Sequence, residues 1–306
     1  MWFKNAQWIH VHPSIANCYY SHKEDLGINV NKSEMFQDVL TKDINEATDL
    51  AEELSDTKLA LKSYKNERNL MLFPFCSTSK RKRINPIMYS SEDGKSWLEV
   101  TANNTYGMAK IWDFDILRFV FSKISAIAKE TGIYPSKVSF TAYECLKALN
   151  RDPKAGKNVK WLREALDRLA STTYKGNIFR EEAKRVTGFT LIKYEYEEKE
   201  DYITKIVVSL DERLIDSIRS SSNLLKINSR LIREVAGIKK RLLELVEVSM
   251  QGDTEWVVSL EHLQKLCANA WDPAKFKYEL STYKDLPWAL TFEKERAKLF
   301  VIFTKK

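Results

Sequence analysis

The stretch Lys157-Asn158-Val159-Lys160-Trp161-Leu162-Arg163-Glu164-Ala165-Leu166-Asp167-Arg168-Leu169-Ala170-Ser171-Thr172-Thr173-Tyr174 changes period near its end. Through Ser171, Trp161, Leu162, Ala165, Leu166 and Leu169 recur at three and four, the spacing of an amphipathic helix. Thr172-Thr173-Tyr174 then opens a β-rich segment. Phe189 to Tyr196 and Tyr202 to Leu210 alternate like strands around the polar Glu197-Glu198-Lys199-Glu200-Asp201.

Upstream, Asp113 or Asp115 can cap a helix running to Thr131, with Ile116, Leu117, Val120, Phe121, Ile124, Ile127 and Ala128 as its buried stripe. Gly132 stands where a left-handed residue ends helices. Ser136 to Asn150 reads as a second helix, broken by Asp152-Pro153 and Gly156. Downstream the order repeats. Ser229 to Met250, Ser259 to Ala268 and Pro273 to Tyr283 read as helices, and Trp288 to Glu293 and Lys298 to Thr304 as strands. Three helices followed by a hairpin is the order of a winged helix-turn-helix. The expected fold is α+β and mostly helical: two tandem winged helix-turn-helix domains, 68–210 and 211–306, behind an acidic helical N-terminal arm, 1–67.

Within that arm, Phe36, Val39, Leu40, Ile44, Ala47, Leu50, Ala51 and Leu54 keep helical spacing from Ser33 to about Tyr64. The stripe suits docking on the body, a partner or a second copy of the chain, so a homodimer is one expectation. Between arm and first domain, Ile84 to Tyr89 and Trp97 to Ala102 flank an Asp93-Gly94 turn, a hairpin signature.

Composition narrows the function. Hydrophobic residues make up 44% of the 306, with only 9 Gly and 7 Pro, which allows a packed core. No apolar run approaches the roughly 18 residues that cross a bilayer. The first residues lack the basic-then-apolar order of a signal peptide, so the expected location is the cytoplasm. Cys18, Cys76, Cys145 and Cys267 are scattered, without the pairing of a zinc site or a disulfide frame. Residues 1–67 carry 7 basic and 11 acidic side chains, a net of −4; the other 42 basic and 31 acidic give +11. A basic body suits nucleic acid, because phosphate neutralisation supplies non-specific affinity.

In a helix-turn-helix the third helix enters the major groove. Turning the apolar stripes inward leaves Asn158, Lys160, Arg163, Asp167 and Arg168 outward in the first copy, and Lys275, Lys277, Tyr278, Ser281, Thr282 and Lys284 in the second. Arg and Lys suit guanine, Asn suits adenine, and all can hold phosphate. Wing residues Lys184, Arg185, Lys294, Arg296 and Lys298, with the run Lys80-Arg81-Lys82-Arg83, complete the expected DNA contacts. Arg168 has a structural alternative, an ion pair with Glu164 one turn away.

Several stretches are similar to the replication initiator protein A family of plasmid replication initiators. They are Asn103-Asn104-Thr105-Tyr106-Gly107-Met108-Ala109-Lys110-Ile111-Trp112-Asp113-Phe114-Asp115-Ile116-Leu117, Ser139-Phe140-Thr141-Ala142-Tyr143, Leu149-Asn150-Arg151, and Leu162 to Leu169 with Thr172 and Asn177-Ile178. Lys240-Arg241-Leu242-Leu243-Glu244-Leu245 and Asp285-Leu286-Pro287 continue the likeness in the second half. It runs from about Phe73 to near the C-terminus and leaves residues 1–67 unmatched. The family's glycine-rich link before the third helix is represented only by Lys154-Ala155-Gly156-Lys157. The resemblance implies binding of double-stranded DNA at repeated origin sites, local opening of the duplex, and recruitment of the host initiator and replicative helicase. It also makes repression of the protein's own gene by a dimer plausible.

Two other functions fit parts of the sequence. A winged-helix transcriptional regulator would use the same surfaces, since fold does not decide function. A rolling-circle nickase would use His10-Val11-His12 as metal ligands with Tyr19 or Tyr20 as nucleophile, and His22 as a third ligand. That motif belongs within a sheet, with the tyrosine on a helix well downstream, and here it lies ten residues from the start. Phosphate-cradling glycine motifs and a Ser-His-Asp set are missing, so the expectation is a non-enzyme that needs no cofactor or metal.

Overall fold

The computed structural model describes residues 49–51, 53–54, 63–179, 187–199, 202–220 and 222–306. Of the expected arm helix from Ser33, residues 49–51 and 53–54 are described and are helical; the rest of that helix, His10, His12, Lys184 and Arg185 lie outside the described residues. By density of contacts, Ala51–Lys306 is one compact unit, and the following concerns that unit.

In chain order its elements are β1 (Tyr64–Glu67), α1 (Arg68–Leu72), β2 (Ile87–Ser90), β3 (Trp97–Thr101), α2 (Phe114–Thr131), β4 (Lys137–Phe140), α3 (Ala142–Ala148), α4 (Gly156–Ser171), β5 (Thr173–Gly176), β6 (Ile192–Lys199) and β7 (Tyr202–Leu210). The second half adds α5 (Glu212–Arg219), β8 (Leu224–Ile227), α6 (Ser229–Arg233), α7 (Gly237–Ser249), β9 (Glu255–Ser259), α8 (Leu260–Leu266), α9 (Pro273–Thr282), β10 (Trp288–Glu295) and β11 (Lys298–Lys305).

The same order occurs twice: strand, short helix, long helix, strand, two helices, two-stranded ribbon. Sheet connectivity repeats as well. The ribbon's second strand is central in both halves, in orders β4-β7-β6 and β9-β11-β10. The leading strands β1 and β8 pair antiparallel, from Tyr64 opposite Ile227 to Glu67 opposite Leu224. The equivalent leading strands of the two halves thus pair with each other. β2, β3 and β5 form a sheet peculiar to the first half.

This is a mixed α/β fold, with more strand than the expected mostly helical one. Ser136 to Asn150 is not one helix. Lys137–Phe140 is a strand against β7, and the helix starts only after Thr141, whose hydroxyl accepts from the Glu144 N–H at 3.0 Å. Strands β1, β8 and β9 are too short to show a period, and Tyr64–Glu67 belongs to the body rather than to an arm. Ser229 to Met250 breaks at Glu234, which is extended (φ −69°, ψ 128°). The break lets Gly237 start α7 against the Thr78 carbonyl, where a Cβ would lie 2.0 Å from that oxygen. Gly132 does end α2, at φ 75°, donating to the Ala128 carbonyl.

The core runs through both halves. Phe114, Ile116, Leu117, Val120, Phe121, Ile124 and Ile127 of α2 are buried, as are Leu242, Leu243, Leu245 and Val246 of α7. Both long helices are covered on nearly all sides, so charged residues on them are sealed too: Asp115 and Arg118 on one, Lys240, Arg241 and Glu244 on the other.

Candidate nucleic-acid interface

The clearest basic face is on α9. Asp272 caps it, its carboxylate accepting from the N–H groups of Ala274 at 2.8 Å and Lys275 at 3.4 Å, with Pro273 in the first turn. Phe276 and Leu280 anchor the inner side. Lys275, Lys277, Tyr278, Ser281, Thr282 and Lys284 are exposed, Tyr278 by 71%. The ribbon β10–β11 stands beside this face, for the Lys277 ammonium lies 5.2 Å from the centre of the Phe292 ring. At its tip Arg296 turns the chain with φ 53°, and Lys294, Arg296 and Lys298 are exposed.

On another side of α9 lies an open cleft of about 860 Å³. Lys80, Arg81, Lys82 and Arg83 form one wall, and Trp271 and Lys275 stand on the other. Residues nearly 200 positions apart thus share one basic concavity. The loop is held in place: the Thr78 hydroxyl donates to the Cys267 carbonyl at 3.0 Å, and Arg83 Nη1 to the Ala268 carbonyl at 2.5 Å. Lys82 Nζ donates to the Thr105 carbonyl at 2.9 Å. Lys80 and Arg81 are exposed, whereas Arg83 spends its fork on backbone carbonyls.

The first half's third helix, α4, differs. Leu162, Ala165, Leu166 and Leu169 face inward as expected, and Lys160 is exposed. Asn158 donates to the Asp152 carbonyl at 2.9 Å, bracing the preceding turn. Arg163 is ion-paired with Glu198 of β6. Asp167 accepts from the Tyr194 hydroxyl at 2.5 Å, and burial together with that carboxylate raises the tyrosine pKa. Arg168 corrects the sequence reading. It is 7% exposed and grips Asp113 with two hydrogen bonds of 2.7 and 2.8 Å, with Glu164 at 3.8 Å. Asp113 accordingly does not cap α2; its carboxylate holds Arg168 and the Lys110 N–H.

The model of the family described as Replication initiator protein A matches residues 65–287. This chain belongs to the replication initiator protein A family. The match covers both halves and stops at Pro287, just before the β10–β11 ribbon. Among solved structures, the chain is similar to domains 2 and 3 of RctB. A selenomethionine crystal structure gives a TM-score of 0.51 at 14% identity, covering 78% of this chain and 95% of that one. A second crystal structure of those domains gives 0.50 at 13%, covering 78% and 96%. These likenesses concern the fold. A comparison with curated proteins gives no match.

In this initiator-family chain some residues that place the basic surfaces carried no sequence signal of that role. Arg151 lies 3.6 Å from the Trp161 ring centre, pinning the turn before α4 to the helix. Lys110 Nζ donates to the Lys80 carbonyl at 2.8 Å, so the family stretch around Gly107 supports the basic loop. No described helix is long and apolar enough to cross a membrane.

Proposed function

We propose that this replication initiator binds repeated duplex sites in a plasmid origin through two winged-helix lobes and acts there without catalysing a reaction. The carrying observation is the exposed face of α9, with Lys275, Lys277 and Tyr278 flanked by the ribbon and by Lys80 and Arg81. A short helix with anchored apolar residues and an outward basic row suits the major groove. The ribbon tip suits the backbone or minor groove. Two lobes on one site raise affinity through effective concentration. Family membership supports the rest of the reading: work in the cytoplasm, local duplex opening, recruitment of the host initiator and replicative helicase, and dimer-mediated repression of its own gene.

The test is binding of the purified protein to duplex DNA from its own replicon, at two salt concentrations, against scrambled competitor. Tight, salt-sensitive binding at repeated sites, with no strand cleavage on adding magnesium or manganese, is expected. Binding confined to a single palindrome over its own promoter would make it a transcriptional regulator. A metal-dependent nick leaving protein on the 5′ end would make it a nickase using His10 and His12.

A further inference from the structure

The polar side chains of α9 leave the middle of its outward face to apolar groups. Phe276 and Leu280 are buried. Tyr278, two positions from each, lies about 200° round the helix from both, opposite the core. One turn to either side, Ala274 and Thr282 extend the same line. All three are exposed, Tyr278 by 71%.

The cations are drawn off this line to both flanks. Lys275 Nζ lies 4.7 Å from the centre of the Trp271 ring, on the wall of the basic cleft. Lys277 Nζ lies 5.2 Å from that of Phe292, on the ribbon side. The neighbouring hydroxyls are committed to the helix itself. Ser281 donates to the Tyr278 carbonyl and Thr282 to the Glu279 carbonyl, both at 2.7 Å. The middle of the face therefore presents a methyl group, an aromatic ring and a threonine whose proton is spent.

We propose that α9 reads thymine, with Tyr278 the specificity-determining residue: its ring packs on the 5-methyl group of a thymine in the major groove. This deepens the DNA-binding reading above and rests on it. The groove has base edges for its floor and phosphates along both rims. Cations on the two flanks of α9 match the rims, and the line between them meets the floor, where the thymine methyl is the apolar feature. Guanine is read by two donors of one side chain, and along Ala274, Tyr278 and Thr282 the one uncommitted side-chain donor is the Tyr278 hydroxyl. A large ring held 71% in water also gains by leaving it.

The experiment uses one repeated origin site of the protein's own replicon, with each thymine in turn replaced by deoxyuridine, which removes only the methyl group. At one or two positions the parent should lose about three- to fourfold in affinity, the worth of one methyl taken from water. Tyr278→Ala should bind the unmodified site roughly tenfold more weakly, with an unchanged salt slope because no phosphate contact is lost. It should also be indifferent to deoxyuridine at the position the parent senses. Tyr278→Phe should keep both the affinity and the methyl preference. Three results would overturn the role: no thymine whose methyl matters, a methyl effect undiminished in Tyr278→Ala, or a loss in Tyr278→Phe as large as in Tyr278→Ala, which would make the hydroxyl the reader. Failure of the parent to bind any duplex specifically would sink the DNA-binding reading and this one together; specific binding that ignores deoxyuridine sinks only the role of Tyr278.

Discussion

Arg118 of α2 and Glu244 of α7, 126 positions apart, form an ion pair whose side chains are 0% and 2% exposed. Asp115 binds both Arg118, at 2.5 Å, and Lys240, at 2.8 Å. Arg241 reaches Glu244 at 3.1 Å and donates to the carbonyls of Met71, Phe73 and Leu266. The long helices of the two halves thus meet through a sealed charge network.

Arg118→Ala takes one cation from each of two buried carboxylates, leaving Asp115 with Lys240 alone and Glu244 with Arg241 alone, and should cost about 3 kcal/mol of stability. Arg118→Met with Glu244→Leu should cost clearly less than the two single changes added, because neither partner is then stranded. Denaturant unfolding of the four proteins checks this. A loss below about 1 kcal/mol for Arg118→Ala would mean that the network is solvated.

Arg168→Ala should destabilise the fold by about 3 kcal/mol, since it strands Asp113 in the core. Arg168→Lys should not rescue it, because an ammonium cannot reproduce the two-pronged contact. DNA affinity of the folded protein should be nearly unchanged in both. A large loss of affinity without loss of stability would return Arg168 to the interface.

Arg163→Ala and Lys277→Ala separate reading from holding. Arg163→Ala should cost on the order of 1–3 kcal/mol on origin DNA and relax preference at one base. Lys277→Ala should weaken all sequences similarly and lower the salt slope by about 1. Binding measured on single-base variants of one site distinguishes them. Equal losses on every sequence for Arg163→Ala would leave it a phosphate contact.

His262 packs with its ring centre 6.0 Å from that of Tyr89, and burial holds its pKa below the usual 6.5. A histidine kept neutral by folding contributes stability above pH 6.5, and that contribution is lost as pH falls through the folded value. Thermal unfolding between about pH 7 and pH 5 should therefore show His262→Gln losing less stability than the parent. Parallel curves would mean that proton uptake at His262 does not oppose folding.

Truncation separates arm from body. Removing residues 1–50 should leave the fold and DNA binding, while impairing replication or assembly. Removing 1–67 should unfold the body, because Asn66 and Glu67 are fully buried. Glu67 accepts from the Leu70 N–H at 2.8 Å and the Ser217 hydroxyl at 2.7 Å, and β8 would lose its partner. Circular dichroism and gel shifts on both truncations decide it; a folded 68–306 fragment would restore the longer arm.

Periodicity alone determined the long helix α2, both third helices, the two ribbons and the inward residues Leu162, Leu166, Phe276 and Leu280, but it ran α6 and α7 together across the break at Glu234. These rest on side-chain patterns repeated over several turns or strand pairs, which local physics makes visible. Family membership was likewise legible, because stretches such as Asn103 to Leu117 keep both residues and order.

Tertiary structure alone decided the partners of the charges. Helical geometry placed Arg168 and Arg163 on the outward half of α4, but it could not show Asp113 or Glu198, which lie 55 and 35 positions away. Nor could it bring Lys80 and Arg81 beside Lys275, or make Arg118 and Glu244 a core contact. A cation's role depends on which anion or solvent meets it, and the packing of distant segments sets that. Strands as short as β1 and β8 likewise exist because each finds the other, with too few residues in either to carry a period.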